Sequence, residues 1–208
     1  EMGIPKNAKI VTLSVRDDAY LSKIFKYSDF SYHSHRNCNI DNFKEAAEYL
    51  TSLGYYVFRM GTYVEKRFEG SNSKIIDYAN NSNFNSPFMD LYLGYICSFC
   101  ITTGTGYDSI PNHLFRKPIL FTNMTPLGIM PTYRKLFIVM PKKFYSNNQN
   151  RYIKYSEIFK LGAAFFSTSE QYINNNIDVV ENSPKEILEA TKEMLIYKDS
   201  KIDENNDQ

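Results

Sequence analysis

The chain has 208 residues, with 24 Lys and Arg against 23 Asp and Glu, which gives a formal net charge of +1. Near-neutral charge argues against a nucleic-acid binder, because such proteins need a basic surface. No apolar run reaches the roughly 18 residues that a membrane-spanning helix requires. Three cysteines are too few for a disulfide scaffold, which favours a reducing compartment and a cytoplasmic location.

Short apolar runs alternate with amphipathic segments through the first 125 positions. Strands are predicted at Ile10–Val15, Tyr55–Phe58, Lys74–Asp77, Phe99–Thr102 and Pro118–Phe121. Helices are predicted from an N-cap at Asp41 to Leu53, with Gly54 ending the helix, from Pro87 to about Cys97, and from Tyr107 to Phe115. This alternation implies βαβ crossovers, and hence an α/β, Rossmann-like parallel sheet with helices on both faces.

The pattern is weaker after Pro126. A strand is predicted at Leu136–Met140 and a short helix at Tyr155–Leu161. A long final helix should begin after Ser183, with Pro184 in its first turn and Glu186 completing a capping box. Residues 1–197 are predicted to form one domain, followed by a polar, disordered tail over residues 198–208.

Chemically distinctive residues follow the predicted strands. They are Arg16, Arg59, Asp77, Thr103, Gly104, Thr105, Gly106 and Asn123. Because ligands of open parallel sheets bind at the carboxyl ends of the strands, arginines and a Gly/Thr turn at that edge would suit a phosphate-bearing ligand. The alternative interpretation is solvated arginines beside a tight turn. The glycines lack the dinucleotide spacing and no P-loop lysine follows, which favours a mononucleotide derivative over NAD or ATP hydrolysis.

Three further motifs have simpler interpretations. The C-x-x-C of Cys97 and Cys100 lies in an apolar stretch, which predicts core packing. His33 and His35 form an H-x-H with no evident third ligand, so no metal site is predicted. Lys142–Tyr145 and Arg151–Tyr155 interleave basic and aromatic residues. For these two segments a solvated loop with buried aromatic anchors is favoured, and RNA or peripheral membrane contact is the alternative.

Seven segments, in order along nearly the whole chain, carry a resemblance to a bacterial family of proposed surface-carbohydrate glycosyltransferases. They are Val15–Leu21, His35–Phe43, Leu53–Gly61, Ile76–Ala79, Thr103–Gly106, Lys117–Asn123 and Glu181–Ile187. The first two resemble the family's H-x-R-D-x-x-Y and Y-R-N-x-D-I-x-N-Y patterns. Ser14 stands where a histidine is usual, and His35 replaces a tyrosine.

The resemblance implies a GT-B fold, in which two Rossmann-like domains face each other across a cleft. This chain would be the C-terminal, donor-binding half, and another domain would precede Glu1. The implied reaction is transfer of a sugar from a nucleotide-diphosphate sugar to a glycan or lipid-linked acceptor at the inner face of the membrane, without cofactor or metal. The absence of a D-x-D pair agrees with metal independence.

The resemblance also implies roles for individual residues. The strand-then-arginine opening looks like the arginine motif of fucosyltransferases, which makes Arg16 the expected catalytic contact to the diphosphate. Arg36, Asn37 and Arg59 would assist in substrate binding, and Asp77 would meet the ribose or base. Two alternatives stay open: a nucleotide-sugar epimerase or hydrolase on the same fold, and a non-catalytic nucleotide-sugar-binding module.

Overall fold

The computed structural model describes residues 3–81, 83–130 and 137–206, with side chains described up to residue 200. The strands are β1 (Ile10–Ser14), β2 (Tyr56–Arg59), β3 (Ile75–Ile76), β4 (Phe99–Thr102), β5 (Ile119–Met124), β6 (Phe137–Pro141), β7 (Lys143–Ser146), β8 (Arg151–Tyr152) and β9 (Ile177–Val180). The helices are α1 (Ala19–Ile24), α2 (Lys44–Ser52), α3 (Pro87–Ile96), α4 (Tyr155–Lys160), α5 (Ser169–Asn174) and α6 (Pro184–Asn206). Among these described helices, none combines the length and apolarity needed to cross a bilayer.

Six strands form a parallel sheet in the order β3-β2-β1-β4-β5-β6. β1 lies at its centre, with Leu13 opposite Arg59 of β2 and Ser14 opposite Thr102 of β4. The direction in which the strands are added reverses between β1 and β4, and such a switch point opens a crevice at the carboxyl edge. The predicted Rossmann-like parallel sheet is therefore confirmed.

Helices cover both faces of this sheet, as predicted. Val11 and Leu13 of β1 point to the face that α2 and α6 cover, where they join one buried apolar cluster. Ile10 points to the opposite face and packs with Leu93 and Cys97 at α3. Because each such side chain contributes about 1.5–3 kcal/mol when buried, the two clusters hold the sheet rigidly between its helices.

Most helix ends follow the predicted chemistry. Ser183 and Glu186 form the expected capping box, with the Ser183 N–H donating to the Glu186 carboxylate at 2.7 Å. Gly54 ends α2 with a φ of +87°, the left-handed conformation that glycine adopts without strain. The N-cap at Asp41 is wrong. The side chain of Asn39 accepts the N–H of Asp41 instead, and a 3₁₀ turn over Ile40–Phe43 precedes α2.

A second sheet was not predicted. β8, β7 and β9 form an antiparallel sheet in that order, with α4 and α5 packed around a core that contains Phe144 and Tyr172. The two segments interpreted as solvated loops, Lys142–Tyr145 and Arg151–Tyr155, thus contribute to β7 and β8. The aromatic residue Phe144 is buried, as expected. Ser146 pairs with Ile177, and a pairing so distant along the chain leaves no signal in a four-residue strand.

Two helix predictions are corrected at their boundaries. The helix expected from Tyr107 to Phe115 is confined to a π-helical turn at Ile110–Leu114, because the residues before it form a hydrogen-bonded turn around Asp108. α6 extends to Asn206, into the predicted disordered tail, and Lys198 within that extension is buried. Residues 207 and 208, and the start of the predicted strand at 136, lie outside the described residues.

Asn123 lies near the carboxyl end of β5, and its side chain pairs with Asn182 instead of facing the crevice. Its N–H donates to the side-chain oxygen of Asn182 at 2.7 Å, and the N–H of Asn182 donates back to the Asn123 side chain at 2.6 Å. Asn182 also donates to the carbonyl of Pro141. Both asparagines are buried, so this reciprocal pair joins β5 and β6 to the start of α6.

We predict that Asn182→Ala lowers the free energy of unfolding by about 1–3 kcal/mol, because it leaves the buried N–H of Asn123 without an acceptor. Chemical denaturation measures the change. Asn148→Ala, in an exposed turn, is the matched control and should leave the free energy of unfolding almost unchanged. Equal stability of the two variants would contradict the structural role of the pair.

Candidate anion-binding site

The carboxyl ends of β1 and β4 are joined by hydrogen bonds through hydroxyl groups. The N–H of Arg16 donates to the Thr103 Oγ1 atom at 2.9 Å, and the hydroxyls of Ser14 and Thr105 lie 2.7 Å apart. The Thr103 N–H in turn donates to the Ser14 carbonyl. These bonds fix the backbone on both sides of the switch point, and they place Arg16 and the Gly/Thr turn at the same edge, as predicted.

The turn after β4 is held from within by Asp108. Its carboxylate accepts the Thr102 hydroxyl at 2.9 Å and the Thr105 N–H at 2.7 Å, while the Gly104 N–H donates to Thr102 Oγ1. Burial raises the pKa of Asp108, and these hydrogen bonds oppose the rise. Since three of the turn's four amides already have acceptors, the turn shapes the site, and side chains have to supply most of any contact to a ligand.

Arg16 lies at this edge with an uncompensated charge. Its Nε and Nη2 atoms are shielded from solvent and have no hydrogen-bond acceptor among the described residues. Buried charged donors are normally paired, since leaving one unpaired costs free energy. An unpaired guanidinium at the switch point of a parallel sheet therefore indicates a place for an anion.

A second arginine lies beside the first. Arg36 donates from Nη2 to the carbonyl of Gly104 at 3.1 Å, and its pKa is lowered by burial and then by the charge of Arg16, with Asp108 opposing. The pKa of His33 is likewise lowered by burial and by both arginines. Two guanidinium groups within electrostatic reach of each other repel, and a bound anion would relieve that repulsion.

A pocket of about 450 Å³ opens at this edge. Arg16, Ser14, Thr105 and Gly106 contribute its polar side, and Tyr20, Tyr63 and Tyr107 contribute aromatic rings. The rings of Tyr20 and Tyr63 lie 6.3 Å apart and are partly exposed. Its volume lies within the range of about 300–1,000 Å³ typical of small-molecule sites. Asp90, in the first turn of α3, also lines the pocket, and burial raises its pKa.

Sequence reasoning missed Tyr20, Tyr63 and Asp90. Tyr20 lies on α1, a helix that was not predicted because its six residues bury no side chain. Tyr63 comes from the irregular segment after β2. The only signal was that of Tyr20, which stands at the last position of the H-x-R-D-x-x-Y pattern that Val15–Leu21 resembles.

Arg59 and Asp77, both predicted to bind substrate, bind each other. The side chain of Arg59 is only 1% exposed, with Nη1 at 3.4 Å from Asp77 and Nη2 at 3.7 Å from Asp17. Burial lowers the pKa of Arg59, and both carboxylates oppose this. Asp77 also accepts the Phe68 N–H. The pair ties β2 to β3 and to the residues after β1.

Asn37 lies apart from Arg16. Its backbone carbonyl accepts Lys142 Nζ at 2.6 Å, while its side-chain Oδ1 is buried with no donor among the described residues. Asn37 lines a second pocket, described below, and does not line the pocket at Arg16. The predicted site residues thus fall into three groups: those at the Arg16 edge, those in the ion-pair network, and Asn123 and Asn37 outside both.

The cysteine and histidine motifs are resolved by their surroundings. Cys97 and Cys100 are buried, as the prediction of core packing required, and burial raises the pKa of Cys97 to about 11. His35 contacts Ser169 through Nδ1 and packs against Tyr172. Within the described ranges, no group of three or more His, Cys, Asp or Glu side chains is arranged to hold a metal ion.

No protein-family model, curated protein or solved structure matches this chain. The family resemblance of the sequence therefore stays a prediction.

We predict opposite outcomes for the two glycines of the turn. Gly104 has a φ of +78°, and an added Cβ would lie 3.1 Å from the Met124 sulfur, so Gly104→Ala should lower the free energy of unfolding. The expected loss is about 1–2 kcal/mol. A Cβ on Gly106 meets no atom within 4 Å, so Gly106→Ala should leave stability almost unchanged. Urea denaturation compares them, and equal losses would contradict this local geometry.

We also predict a pH dependence of stability from His35. Burial and the charges of Arg36 and Lys142 lower its pKa from 6.5 to about 4. The unfolded chain therefore takes up this proton first, and stability falls as pH drops from about 6.5 towards 4, with no further contribution from His35 below that. After allowance for solvent screening, the loss from this group should be roughly 1–2 kcal/mol.

The variant His35→Phe keeps an aromatic ring against Tyr172 and removes the titration. Its free energy of unfolding, measured by denaturation at pH 7 and pH 4.5, should fall less with acid than that of the unsubstituted protein. Asn148→Ala, a change in an exposed turn that removes no titratable group, serves as the control. If His35→Phe and the control lose equal stability in acid, the assignment to His35 is wrong.

Proposed function

We propose that this chain binds the nucleotide-diphosphate sugar of a glycosyltransferase, with the diphosphate at Arg16. The observation that carries the proposal is the guanidinium of Arg16, whose buried Nε and Nη2 atoms have no acceptor in the described part of the chain. A diphosphate offers several charged acceptor oxygens to such a fork, and charge-assisted hydrogen bonds of this kind are the strong ones.

Arg36 supports the same ligand. Its position beside Gly104 brings a second positive charge to the edge at which Arg16 ends β1. A ligand with two or more negative charges interacts favourably with both arginines, whereas a neutral ligand leaves their mutual repulsion in place. This difference favours a diphosphate over a neutral metabolite.

The aromatic side of the pocket suits a nucleobase. Tyr20 and Tyr63 are 47% and 40% exposed, and they line the same pocket as Arg16. Planar bases stack on such rings with about 1–3 kcal/mol per base. A nucleoside diphosphate can thus place its base against the tyrosines and its phosphates against the arginine.

In the proposed transfer, the bond between the sugar's anomeric carbon and the diphosphate oxygen breaks, and its electron pair leaves with the nucleoside diphosphate. The acceptor hydroxyl forms the new bond and gives its proton to a base. Arg16 would stabilise the negative charge that develops on the leaving diphosphate, assisted by Arg36. On the GT-B interpretation the base comes from the other domain.

One observation favours a second candidate, a nucleotide-sugar epimerase or hydrolase. Such an enzyme needs an acid or base within the donor pocket itself. Asp90 lines that pocket and its pKa is raised by burial, as proton-transfer carboxyl groups require.

We predict that calorimetric titration detects binding of at least one of GDP, UDP or dTDP, and that Arg16→Ala weakens it by about tenfold or more through loss of charge-assisted hydrogen bonds. Arg67→Ala removes an exposed arginine away from the pocket and is the matched control, expected to bind normally.

If none of the three nucleoside diphosphates binds, the donor-site proposal is overturned. With a nucleotide sugar bound, release of nucleoside diphosphate only after addition of an acceptor supports transfer. Release without an acceptor supports the hydrolase, and interconversion of the sugar without release supports the epimerase.

A further inference from the structure

A second pocket, of about 620 Å³, lies next to the first, and both are lined by Val15 and Asp17. Its other walls come from the segment after Tyr32, from the end of β2 and the residues after it, from the junction of β6 with β7, and from the end of β9. None of the roles proposed above uses this pocket, yet it adjoins the proposed diphosphate site.

Three residues that line this second pocket carry a buried polar atom with no partner in the described ranges. They are Arg59 at Nε, His35 at Nε2 and Asn37 at Oδ1. Arg59 is almost fully buried, and its two terminal nitrogens already face Asp17 and Asp77. Native proteins leave few buried polar atoms unsatisfied, so three around one pocket indicate a missing polar ligand.

The unpaired atoms define what the ligand must offer. Arg59 Nε can only donate, so it needs an acceptor, whereas Asn37 Oδ1 can only accept, so it needs a donor. His35 Nε2 takes either part, depending on which ring nitrogen carries the proton. Hydroxyl groups both donate and accept, and a ligand with several hydroxyls therefore matches all three atoms.

The charges of the second pocket are balanced. Arg59, Lys66 and Lys142 are matched by Asp17, Glu65 and Glu181 among the lining residues. The ammonium of Lys142 is further occupied by the carbonyls of His35 and Asn37. A balanced lining gives no net attraction to an anion, so the expected ligand is uncharged.

We propose that this second pocket binds a neutral pyranose sugar, separately from the nucleotide. Its role in catalysis rests on the proposed function: the pocket would hold a sugar unit of the acceptor glycan beside the diphosphate. The binding itself requires no nucleotide, so it can be tested independently of Arg16.

The test is saturation-transfer difference NMR with methyl α-D-glucopyranoside, methyl β-D-galactopyranoside, methyl α-D-mannopyranoside and N-acetylglucosamine, in the absence of nucleotide. At least one should bind, and Asn37→Ala should weaken it by about 3- to 10-fold, the value of one lost hydrogen bond. This variant keeps the backbone carbonyl that Lys142 uses. Asn148→Ala is the matched control. His35→Phe changes another residue of the same pocket, and it should also weaken glycoside binding.

Methyl β-D-glucuronide distinguishes the charge class, and it should bind no more tightly than methyl β-D-glucopyranoside, its uncharged counterpart. Tighter binding of the glucuronide would overturn the neutral class. If no free glycoside binds, but GDP- or UDP-hexose binds more tightly than GDP or UDP and Asn37→Ala abolishes the difference, the pocket takes the donor's sugar and the acceptor role is overturned. If Asn37→Ala and His35→Phe change neither glycoside binding nor the difference in affinity between GDP- or UDP-hexose and GDP or UDP, the sugar site does not exist.

The two proposals fail separately. If the unsubstituted protein binds no nucleotide, and both it and Arg16→Ala bind the glycoside, the sugar-site proposal stands and the donor-site proposal is overturned. Nucleotide binding that depends on Arg16, with no effect of Asn37→Ala on any sugar, would do the reverse.

Discussion

The hydroxyl-mediated joint between β1 and β4 is the constraint on which the site depends. It holds the N–H of Arg16 against Thr103 Oγ1 and the Ser14 hydroxyl against that of Thr105. The buried carboxyl of Asp108 completes the turn from the other side. Because these groups hydrogen-bond to one another, the ends of the two strands are held rigidly. The turn amides that a phosphate-binding loop normally offers to its ligand are then already occupied within the protein. Any affinity for an anion must then come mainly from the arginine side chains.

The sequence predicted the sheet well and the side-chain partners poorly, for one physical reason. Apolar runs and capping residues are local signals, so β1, β2, β4 and α6 were placed close to their observed positions. Whether an arginine after a strand binds a ligand or a carboxylate depends on strand order. Arg59 meets Asp77 because β2 and β3 are neighbours, and Asn123 meets Asn182 across 59 residues. Neither pairing is readable from spacing.

The unpredicted antiparallel sheet has a role at the site as well as a core of its own. Its helix α5 contacts the segment that carries the histidines and Arg36: the Ser169 hydroxyl lies 2.9 Å from that of Ser34 and accepts the N–H of His35. Lys142, at the junction of the two sheets, donates to carbonyls of the same segment. A long polar connection with little secondary structure is thereby fixed over the carboxyl edge, at a distance along the chain that no local pattern reveals.

Arg16 is left unpaired by its neighbour in sequence. Asp17 could neutralise Arg16, but its carboxylate accepts the N–H groups of Ala19 and Glu65 and faces Arg59. The one carboxylate thus stabilises a buried cation on the second pocket's side and leaves the first pocket's arginine unpaired. Two adjoining pockets acquire different chemistry from a single Arg-Asp step at the end of the central strand: one has an unpaired guanidinium, and the other has a lining of balanced charge. A ligand with an anionic part and an uncharged part would place the anionic part at Arg16 and the uncharged part in the second pocket. Two separate ligands of those kinds would divide between the pockets in the same way.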